Sequence, residues 1–463
     1  MTCVVAAISR QPNTSIMAIE YEKALAILQN VAKKCSYGRD KSIETLPLLE
    51  ALGRVAAKDH VSPISTPPTD TSAMDGYAIS SAATIGASAQ KPAIFVIKGT
   101  IAAGDQPIEL ANELEDGVLP CVEIMTGAQF PQSTSDTPFD ACVKIEDTVS
   151  LGPRTTGAEV KSHRQIAVTR SLPLHVNRRF AGSDMQQGDV ILRAGTVVCS
   201  RHIMALASVG ITEVATCRRL RVAIWSTGNE LSEGLDSCCN KSQIFNSNGP
   251  YLVAAMRELG VDAHYKGILR DDPDKLQAAL GSLQERSYDL VITTGAVSKG
   301  KFDFIVPALE ELHAQVHFHG VAIRPGHPVL FATTDSESGH GVPLFGLPGN
   351  PIAAAACFRF LVVPFLRHML GRTTEVPELA KLHQRNGSRD ALLASPSHLD
   401  CFRHGTLRAD SDGNKVVELS GNQSPAIISQ FAASNCWVHI QKERSAELRE
   451  IVVLCYPHQP FLE

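Results

Sequence analysis

The 463-residue sequence has no excess of positive charge, because 43 Lys and Arg are outnumbered by 48 Asp and Glu, for a net charge of −5. Without a basic excess there is no general attraction to nucleic acid or anionic lipid, so we expect neither as a partner. Its 12 cysteines also lack any C-x-x-C spacing, which argues against a zinc or redox motif and in favour of reduced thiols.

Long apolar runs are scarce as well. No run approaches the ~20 residues that span a bilayer, and the N-terminus lacks a convincing signal sequence. We therefore expect a cytosolic protein without membrane association, with a flexible leader over residues 1–15. Hydrophobic residues make up 44% and charged residues 20% of the sequence, a balance that is typical of compact folded proteins.

The chain is too long for one core, since domains usually hold ~100–200 residues. Helical spacing of apolar residues predicts one amphipathic helix from Ile16 to Cys35. Short β-type runs broken by Gly, Pro, Ser and Thr then indicate a small β-rich region. Strands and helices alternate from Arg221 onward, which predicts a largely parallel sheet with helices on both faces. Short strands return after Gly371.

Three predicted strands end in glycine and small polar residues: STGNE at 226–230, TTGAVSKG at 293–300 and GLPGNP at 346–351. Glycine lets backbone amides approach a ligand, and the N-terminus of a following helix adds partial positive charge, so each loop could cradle a phosphate. Taken alone, each of these loops is better explained as an ordinary strand-to-helix turn than as a phosphate site. Three at the ligand-binding edge of one sheet favour a phosphate site.

Three carboxylates accompany these loops. Glu230, Asp272 and Asp303 follow predicted strand ends, where oxygen ligands could hold Mg²⁺ beside phosphate oxygens. However, Asp272 precedes Pro273 as an ordinary helix cap does, and Glu230 and Asp303 also fit acids in the first turn of a helix. Spacing alone does not decide between these roles.

Other polar positions have similar alternatives. Asp75-Gly76, taken alone, predicts a hairpin turn. Arg324 and His327 flank a Pro-Gly turn and could bind an oxyanion, although a basic residue in a turn is usually only solvated. His317 and His319 share one face of a predicted strand, but two imidazoles without a third ligand fit a structural role better than a metal site.

The ordered series of motifs resembles a known family. TDTSAMDGYAI, IMTGAQFP, STGNEL, TTGAVSKGKFDF, IRPGHP and GLPGNP follow one another along the chain and are similar to those of the molybdopterin molybdenumtransferases, the bacterial MoeA type and the E domain of gephyrin. The resemblance implies an enzyme that inserts molybdate into adenylylated molybdopterin and releases AMP. It also implies a homodimer whose active site lies between the α/β domain of one subunit and the small β domain of the other.

The fold that the resemblance implies is multidomain α/β plus β, with a central parallel-sheet domain of the MoaB/Mog type. The expected parts are an elongated, discontinuous linker and dimerisation domain (16–62 and 173–219), a small β domain (63–172), the molybdopterin-binding α/β domain (220–373) and a C-terminal β domain (374–463). No adenylylating domain is evident, so we expect a separate molybdopterin adenylyltransferase to supply the substrate.

The resemblance also assigns residues. The catalytic acids would be Asp75, donated across the dimer, with Glu230, Asp272 and Asp303, and the last three would hold magnesium. The implied ligand-binding residues are Thr126, Asp184, Ser226, Thr227, Gly228, Asn229, Thr294, Gly295, Ser298, Arg324, His327, Pro348, Gly349, Asn350 and Arg403.

Several positions depart from the family pattern near the expected oxyanion site. Arg324 replaces the usual lysine, His327 stands at a variable cationic position, and Ala353 and Pro425 replace serines. Because these changes remove hydroxyl donors and alter the shape of a cation, a non-catalytic molybdopterin-binding or scaffold paralogue is the alternative to an active enzyme.

Overall fold

The computed structural model describes residues 18–36, 43–111, 119–154, 163–234, 242–270, 273–281, 288–297, 305–334, 341–383, 398–442 and 452–458. The chain divides into two compact units. Unit 1 comprises Met1–Lys58, Ala194–Cys199 and Glu213–Glu463, and unit 2 comprises Asp59–Arg193 and Ser200–Thr212.

Unit 1 begins with helix α1 (Tyr21–Ser36), followed by strand β1 (Ile43–Pro47) and a 3₁₀ turn at Leu48–Ala51. The helix predicted to begin at Ile16 begins at Tyr21 in the structure. Ile16 itself lies outside the described residues. Ile19 instead pairs with Val321 in an isolated bridge, and its N–H donates to the Gly320 carbonyl at 3.1 Å. This tertiary pairing keeps the residues before Tyr21 extended in spite of their helical periodicity.

Unit 2 is a β-rich unit. Its elements are β2 (His60–Val61), β3 (Thr71–Ser72), β4 (Gly76–Ile79), β5 (Ala93–Ile101), β6 (Glu109–Leu110), β7 (Leu119–Ile124), β8 (Gln132–Ser133), β9 (Ala141–Lys144), β10 (Thr148–Arg154), β11 (His163–Val168), β12 (Arg178–Arg179), β13 (Val190–Leu192), helix α2 (Ser200–Ser208) and 3₁₀ turns at Ser81–Thr84 and Ile145–Asp147. Six strands form one sheet in the order β10-β11-β5-β7-β4-β9.

The core of unit 2 consists of β-branched and aromatic side chains on that sheet, among them Ile79, Phe95 and Ile124, all fully buried. The predicted hairpin at Asp75-Gly76 is wrong. β3 pairs with β12, whereas β4 pairs with β7 and β9, so the two strands that flank Asp75 belong to different sheets.

An α/β layer occupies the centre of unit 1. Its elements are β14 (Glu213–Cys217), which pairs with β1, then β15 (Arg221–Thr227), β16 (Leu231–Ser232), β17 (Ile244–Phe245), α3 (Asn248–Glu258), β18 (Asp262–Leu269), α4 (Pro273–Gly281), β19 (Leu290–Thr294), α5 (Ile305–Glu311), β20 (Gln315–His319), β21 (Ile323–Arg324), β22 (Leu330–Thr333), β23 (Pro343–Leu347), α6 (Pro351–Cys357) and α7 (Val363–Met369). The main sheet has the order β18-β15-β19-β23-β22-β20.

Strands β18, β15, β19 and β23 of that sheet are mutually parallel, whereas β22 is antiparallel to both of its neighbours. The prediction of a largely parallel sheet is confirmed. Because parallel strands end at the same edge, the segments that follow β15, β19 and β23 lie together at the end where such sheets bind ligands.

One continuous helix runs through the core of unit 1. α6 and α7 are joined by a π turn at Phe358–Val362 into a helix of 19 residues, Pro351–Met369, of which 89% is buried. By length and mean composition alone this helix could cross a membrane, but Arg359 and Arg367 interrupt its apolar residues and both are buried inside the protein. The helix packs instead against α1 and the main sheet as a core helix.

The last part of unit 1 is a small β barrel. Its elements are β24 (Glu378–Leu382), β25 (Asp400–Ala409), β26 (Lys415–Leu419), α8 (Ile428–Ala432), β27 (Cys436–Ile440) and β28 (Val452–Pro457). The order β25-β26-β24-β28-β27 closes through pairing of β25 with β27, and β21 from the α/β layer adds to β25. The predicted return to short strands after Gly371 is confirmed.

Candidate functional site

A first cavity of 720 Å³ lies at the carboxyl edge of the main sheet of unit 1. The three loops singled out in the sequence meet there: Thr227, Gly228 and Glu230 after β15, Thr294 to Val297 after β19, and Pro348 to Asn350 after β23. Asn246, Ser247 and Asn248, which lead into α3, complete this side of the wall.

Gly295 joins two of these loops. Its φ of +90° is in the left-handed region, and a Cβ at this position would lie 2.6 Å from the Thr227 carbonyl oxygen. Its N–H donates to the Leu347 carbonyl at 2.9 Å, and the Thr227 hydroxyl donates to the Thr294 carbonyl at 2.9 Å. Only glycine permits this close approach, so the cavity floor depends on it.

Two helix N-termini border the first cavity. α3 starts at Asn248, the 19-residue core helix starts at Pro351, and both residues line the cavity. The Asn248 side-chain amide donates to the Gly349 carbonyl at 2.8 Å, which fixes the two starts relative to each other. Unpaired amides and the helix dipoles make this wall favourable for an anion such as a phosphate.

Glu230 contributes a carboxylate to the wall of the first cavity. Its side chain is exposed and covers Gly228, since a Cβ built on Gly228 would lie 2.6 Å from the Glu230 Oε2 atom. Asp272, Asp303 and Ser298 lie outside the described residues. Within the described part of the chain no three His, Cys, Asp or Glu side chains cluster as metal ligands. One or two carboxylates beside phosphate oxygens are nevertheless the usual donor set for Mg²⁺, and Glu230 fits it.

A polar network beneath the first cavity was not predicted. The Ser226 hydroxyl donates to the Asn246 carbonyl oxygen at 3.0 Å, and the Asn246 amide donates to the Tyr265 hydroxyl at 2.7 Å. Tyr265 in turn donates to Glu233 at 2.7 Å, and burial together with this bond raises the Tyr265 pKa. The sequence signal was the polar NSNG stretch before α3.

Two of the predicted ligand-binding residues lie outside the wall of the first cavity. Ser226 is fully buried and positions Asn246, so it supports the cavity from below. The Asn229 carbonyl accepts a hydrogen bond from Arg270 at 2.7 Å. Neither residue is among those that line the first cavity.

A second cavity of 520 Å³ adjoins the first, and the two share Pro328, Pro348 and Asn350. Arg324, His327 and Arg403, the three cationic or imidazole residues assigned to an oxyanion, all line it. Arg324 ends β21, His327 lies in the turn that follows, and Arg403 lies in β25. The structure thus brings together residues that are distant in the chain.

The charges in the second cavity repel one another. Burial, and then the charge of Arg324, lower the pKa of the Arg403 guanidinium. His327 Nδ1 lies 3.0 Å from the Val321 carbonyl oxygen; because a carbonyl only accepts, Nδ1 carries the hydrogen, which leaves Nε2 to interact elsewhere. An anion in this cavity would reduce the repulsion between the two guanidinium groups.

The positions that depart from the family pattern lie in the same wall. Ala353 and Pro425 both line the second cavity, and the Pro425 carbonyl accepts the Ile352 N–H at 2.9 Å, so each contributes backbone or methyl groups but no hydroxyl. Ser424 carries the hydroxyl that remains among the lining residues.

Asp75, Thr126 and Asp184 belong to unit 2. The Thr126 N–H and hydroxyl both donate to Asp75 Oδ1 at 2.7 Å, and these two bonds lower the Asp75 pKa, so this exposed carboxylate is ionised at neutral pH. Asp184 is exposed, and its N–H donates to the Thr66 carbonyl at 3.0 Å.

The two histidines of β20 have structural partners, as the sequence favoured. His317 Nε2 lies 3.0 Å from the Thr333 hydroxyl and its ring stacks on Phe331. His319 Nε2 lies 2.8 Å from the Val297 carbonyl oxygen.

The fold and the paired cavities define a multidomain α/β plus β protein with a site suited to anions. Residues 19–210 match the family described as "MoeA N-terminal region (domain I and II)", and residues 223–368 match the "Probable molybdopterin binding domain". Together these matches cover most of the chain.

Several similar proteins are named molybdopterin molybdenumtransferase. The molybdopterin molybdenumtransferase of Synechococcus elongatus is 33% identical over 396 residues, covering 86% of this chain and 90% of the relative. That of Staphylococcus aureus (strain Mu50) is 30% identical over 424 residues, covering 91% and 93%. The solved structure of the MoeA protein from Pyrococcus horikosii is 28% identical, with a TM-score of 0.71 over 95% of this chain and 99% of that chain.

The chain belongs to the molybdopterin molybdenumtransferase family. It is an enzyme of molybdenum cofactor biosynthesis, and both the resemblance drawn from its motifs and the multidomain α/β plus β fold are confirmed.

Proposed function

We propose that this enzyme inserts molybdate into adenylylated molybdopterin and releases AMP. The observation that carries the proposal is the junction of two cavities at Pro328, Pro348 and Asn350. The first cavity is built from glycine loops and helix N-termini and suits the pyrophosphate of a pterin nucleotide. The second is lined by two guanidinium groups and an imidazole and suits an oxyanion.

In this proposal the first cavity holds the pterin nucleotide. Gly295 and Gly349 let the backbone come close to the phosphates, and Asn248 holds the starts of α3 and the core helix in place around them. Thr227 and Thr294 keep the floor rigid through the hydrogen bond that joins their two strands. A fixed set of donors binds an anion without reorganisation.

Magnesium is the proposed metal. Glu230, with Asp272 and Asp303, would hold it, and when bound it would polarise the pyrophosphate for cleavage. The donor chemistry of Glu230 supports this assignment, because Mg²⁺ prefers carboxylate and phosphate oxygens. The role of the protein is to keep the carboxylate exposed at the cavity wall.

Molybdate is the proposed occupant of the second cavity. Arg324 and Arg403 would donate to its oxygens, with His327 Nε2 and the Ser424 hydroxyl as further groups. The dithiolene thiols of molybdopterin would then replace oxygens of molybdate, and the displaced oxygens would leave as water with the thiol protons. The alternative, a scaffold paralogue, predicts ligand binding without turnover. The cationic residues retained in one cavity support an active enzyme over this alternative.

The assembly and setting are part of the same proposal. We infer a cytosolic homodimer in which Asp75, with Thr126 and Asp184, serves the site of the other subunit. The domain boundaries follow the family pattern: 16–62 with 173–219, then 63–172, 220–373 and 374–463. A separate molybdopterin adenylyltransferase supplies the adenylylated substrate. The resemblance of the TDTSAMDGYAI motif supports the role of Asp75, and its ionised carboxylate suits a group that positions a phosphate through a metal or a hydrogen bond.

The test is AMP release from adenylylated molybdopterin by the Asp303→Asn and Glu230→Gln variants. Each change removes a carboxylate charge with little change in volume, so we expect release to fall at least ~100-fold. Glu311→Gln, at the exposed end of α5, is the matched control and should retain activity. Full activity in Asp303→Asn would refute the assignment.

A further inference from the structure

A third cavity, of 240 Å³, opens in unit 1 between α3, the π turn of the core helix, α8 and the ends of the barrel strands β27 and β28. Its wall includes Tyr251, Phe358, Arg359, Phe431, Trp437 and His458. None of these residues lines the first or the second cavity, so the third cavity is a separate space.

The wall of the third cavity is aromatic. Tyr251 meets Phe358 and Phe431 edge to face, with ring centroids 6.2 and 6.1 Å apart. His458 meets Phe431 edge to face at 5.1 Å, and Trp437 lies tilted against Phe431 at 5.2 Å. Ring faces and edges are thus held in fixed orientations by their neighbours. Such a wall favours another planar ring, which can stack or pack edge to face.

Arg359 contributes a buried, paired side chain to this wall. Its side chain is 7% exposed, and its Nη2 atom donates to Glu375 at 2.6 Å. Its Nε atom is buried and has no hydrogen-bond partner among the described residues. Its guanidinium lies over the Phe360 and Tyr456 rings, 5.8 and 5.2 Å from their centroids. The π turn that places Phe358 and Arg359 side by side is a feature often found at functional sites.

The wall carries little net charge. The ion pair with Glu375 neutralises Arg359, and burial lowers the pKa of His458 to about 4, so its imidazole is neutral near pH 7. The His458 Nε2 atom is also bonded to the Ser434 hydroxyl at 2.8 Å. Glu258 contributes a carboxylate only at the exposed rim. An uncharged ligand suits these surroundings better than an ion does.

The volume limits the size of the ligand. An apolar cavity of ~150 Å³ accommodates benzene, so 240 Å³ is sufficient for one ring with a small substituent. We propose that the third cavity is a second binding site, which takes a small uncharged planar ring packed among Tyr251, Phe431 and Trp437.

Trp437 provides a direct readout. The chain has two tryptophans, and the other, Trp225, lies in β15, so the Trp225→Phe variant reports on Trp437 alone. The probe is nicotinamide, a neutral ring with a carboxamide acceptor. We expect saturable quenching with a dissociation constant of about 1 mM or tighter. Piperidine-3-carboxamide, which keeps the acceptor but lacks the aromatic ring, should bind at least ~10-fold more weakly.

Two variants on α3 separate this site from non-specific quenching. Ala255 lines the third cavity, so Ala255→Phe should fill it and abolish saturable binding. Ala254→Phe places the same ring on the exposed side of the helix and should leave binding unchanged. Ala432→Phe, on the cavity side of α8, is a second filling variant in case Ala255→Phe does not fold, and it adds no tryptophan to the readout.

Amide hydrogen exchange should locate the probe independently. We expect slower exchange in α3, the π turn and α8 when nicotinamide is bound to the wild-type protein, and no such protection in a folded filling variant. The proposal is overturned if nicotinamide gives no saturable quenching. It is equally overturned if a filling variant binds as the wild type does, or if the saturated amide binds equally well.

Discussion

Arg324 and Arg403 line the same cavity from different parts of the chain, and the charge of Arg324, together with burial, lowers the pKa of Arg403. Two guanidinium groups that repel one another in a partly buried cavity are stabilised when an anion lies between them. This relationship supports the proposal that the second cavity, next to the nucleotide cavity, receives molybdate.

The first prediction concerns Arg324. Replacing it with alanine removes a charged hydrogen-bond donor worth ~1.5–3 kcal/mol, so the molybdate concentration for half-maximal activity should rise roughly 10- to 100-fold. Arg324→Lys restores the residue usual in the family and keeps the charge, so it should stay within about tenfold of the wild type. Molybdate titrations of cofactor formation measure both.

Arg408→Ala is the control for Arg324. Arg408 is exposed on β25, the strand that carries Arg403, so its removal changes the net charge equally but leaves the cavity intact. A rise in the molybdate requirement of Arg408→Ala equal to that of Arg324→Ala would mean that general electrostatics, and not the cavity, governs molybdate binding.

The second prediction concerns Gly295. In Gly295→Ala the new Cβ would lie 2.6 Å from the Thr227 carbonyl oxygen at a φ of +90°, so the loop must move. We expect a loss of about 2–4 kcal/mol of stability and at least ~10-fold weaker AMP binding, measured by urea unfolding and calorimetry.

Gly413 provides the comparison for Gly295. Its φ is +81°, and a Cβ there would meet nothing within 4 Å, so Gly413→Ala has the backbone strain without the clash. It should lose only ~1–2 kcal/mol and bind AMP normally. Equal effects on AMP binding would show that the contact with Thr227 does not shape the first cavity.

The third prediction is a pH dependence that arises in the barrel. Burial, and then the charge of Arg403, lower the pKa of His404 to about 4, whereas an imidazole in the unfolded chain titrates near 6.5. The unfolded state therefore binds the proton more tightly. The stability contribution is complete above pH ~6.5 and is lost as the pH falls toward 4, by on the order of 2 kcal/mol at pH 4.5.

His404→Phe should reduce this acid sensitivity. The ring that contacts Phe431 and Trp437 is then retained without a titrating group. His383 is exposed, so His383→Phe should leave the pH dependence unchanged. Urea midpoints at pH 7 and 4.5, followed by Trp437 fluorescence, give the comparison, and an unchanged pH dependence in His404→Phe would contradict the assignment.

The fourth prediction tests the dimer. If Asp75 serves the site of the other subunit, then a mixed dimer of Asp75→Asn and Glu230→Gln chains has one site with both changes and one intact site. Each variant alone should be nearly inactive, and random mixing should restore about a quarter of wild-type activity. If mixing restores nothing, although mixed dimers are seen by native mass spectrometry, Asp75 does not act across subunits.

The sequence predicted those features that follow from local periodicity or from a motif. The strand ends at Thr227, Thr294 and Leu347 follow from the alternation of strands and helices, and parallel strands must bring them to one edge. The motif resemblance identified Arg324 and Arg403 as one group, a relationship that no local pattern contains because β21 and β25, which pair in one sheet, lie far apart in the sequence.

Features that depend on tertiary contacts were missed. The late start of α1 reflects the pairing of Ile19 with Val321, and the false hairpin at Asp75 reflects strand partners that lie far along the chain. The network of Ser226, Asn246 and Tyr265 also joins three separate segments. Periodicity and turn propensity contain no information about such partners.

The most direct test of the account is molybdate-dependent turnover of adenylylated molybdopterin by the purified protein, with AMP and the molybdenum cofactor both quantified. The account predicts that AMP release and cofactor formation rise together with molybdate and are lost together in Glu230→Gln and Asp303→Asn. Tight binding of the adenylylated pterin without AMP release at any molybdate concentration would contradict it.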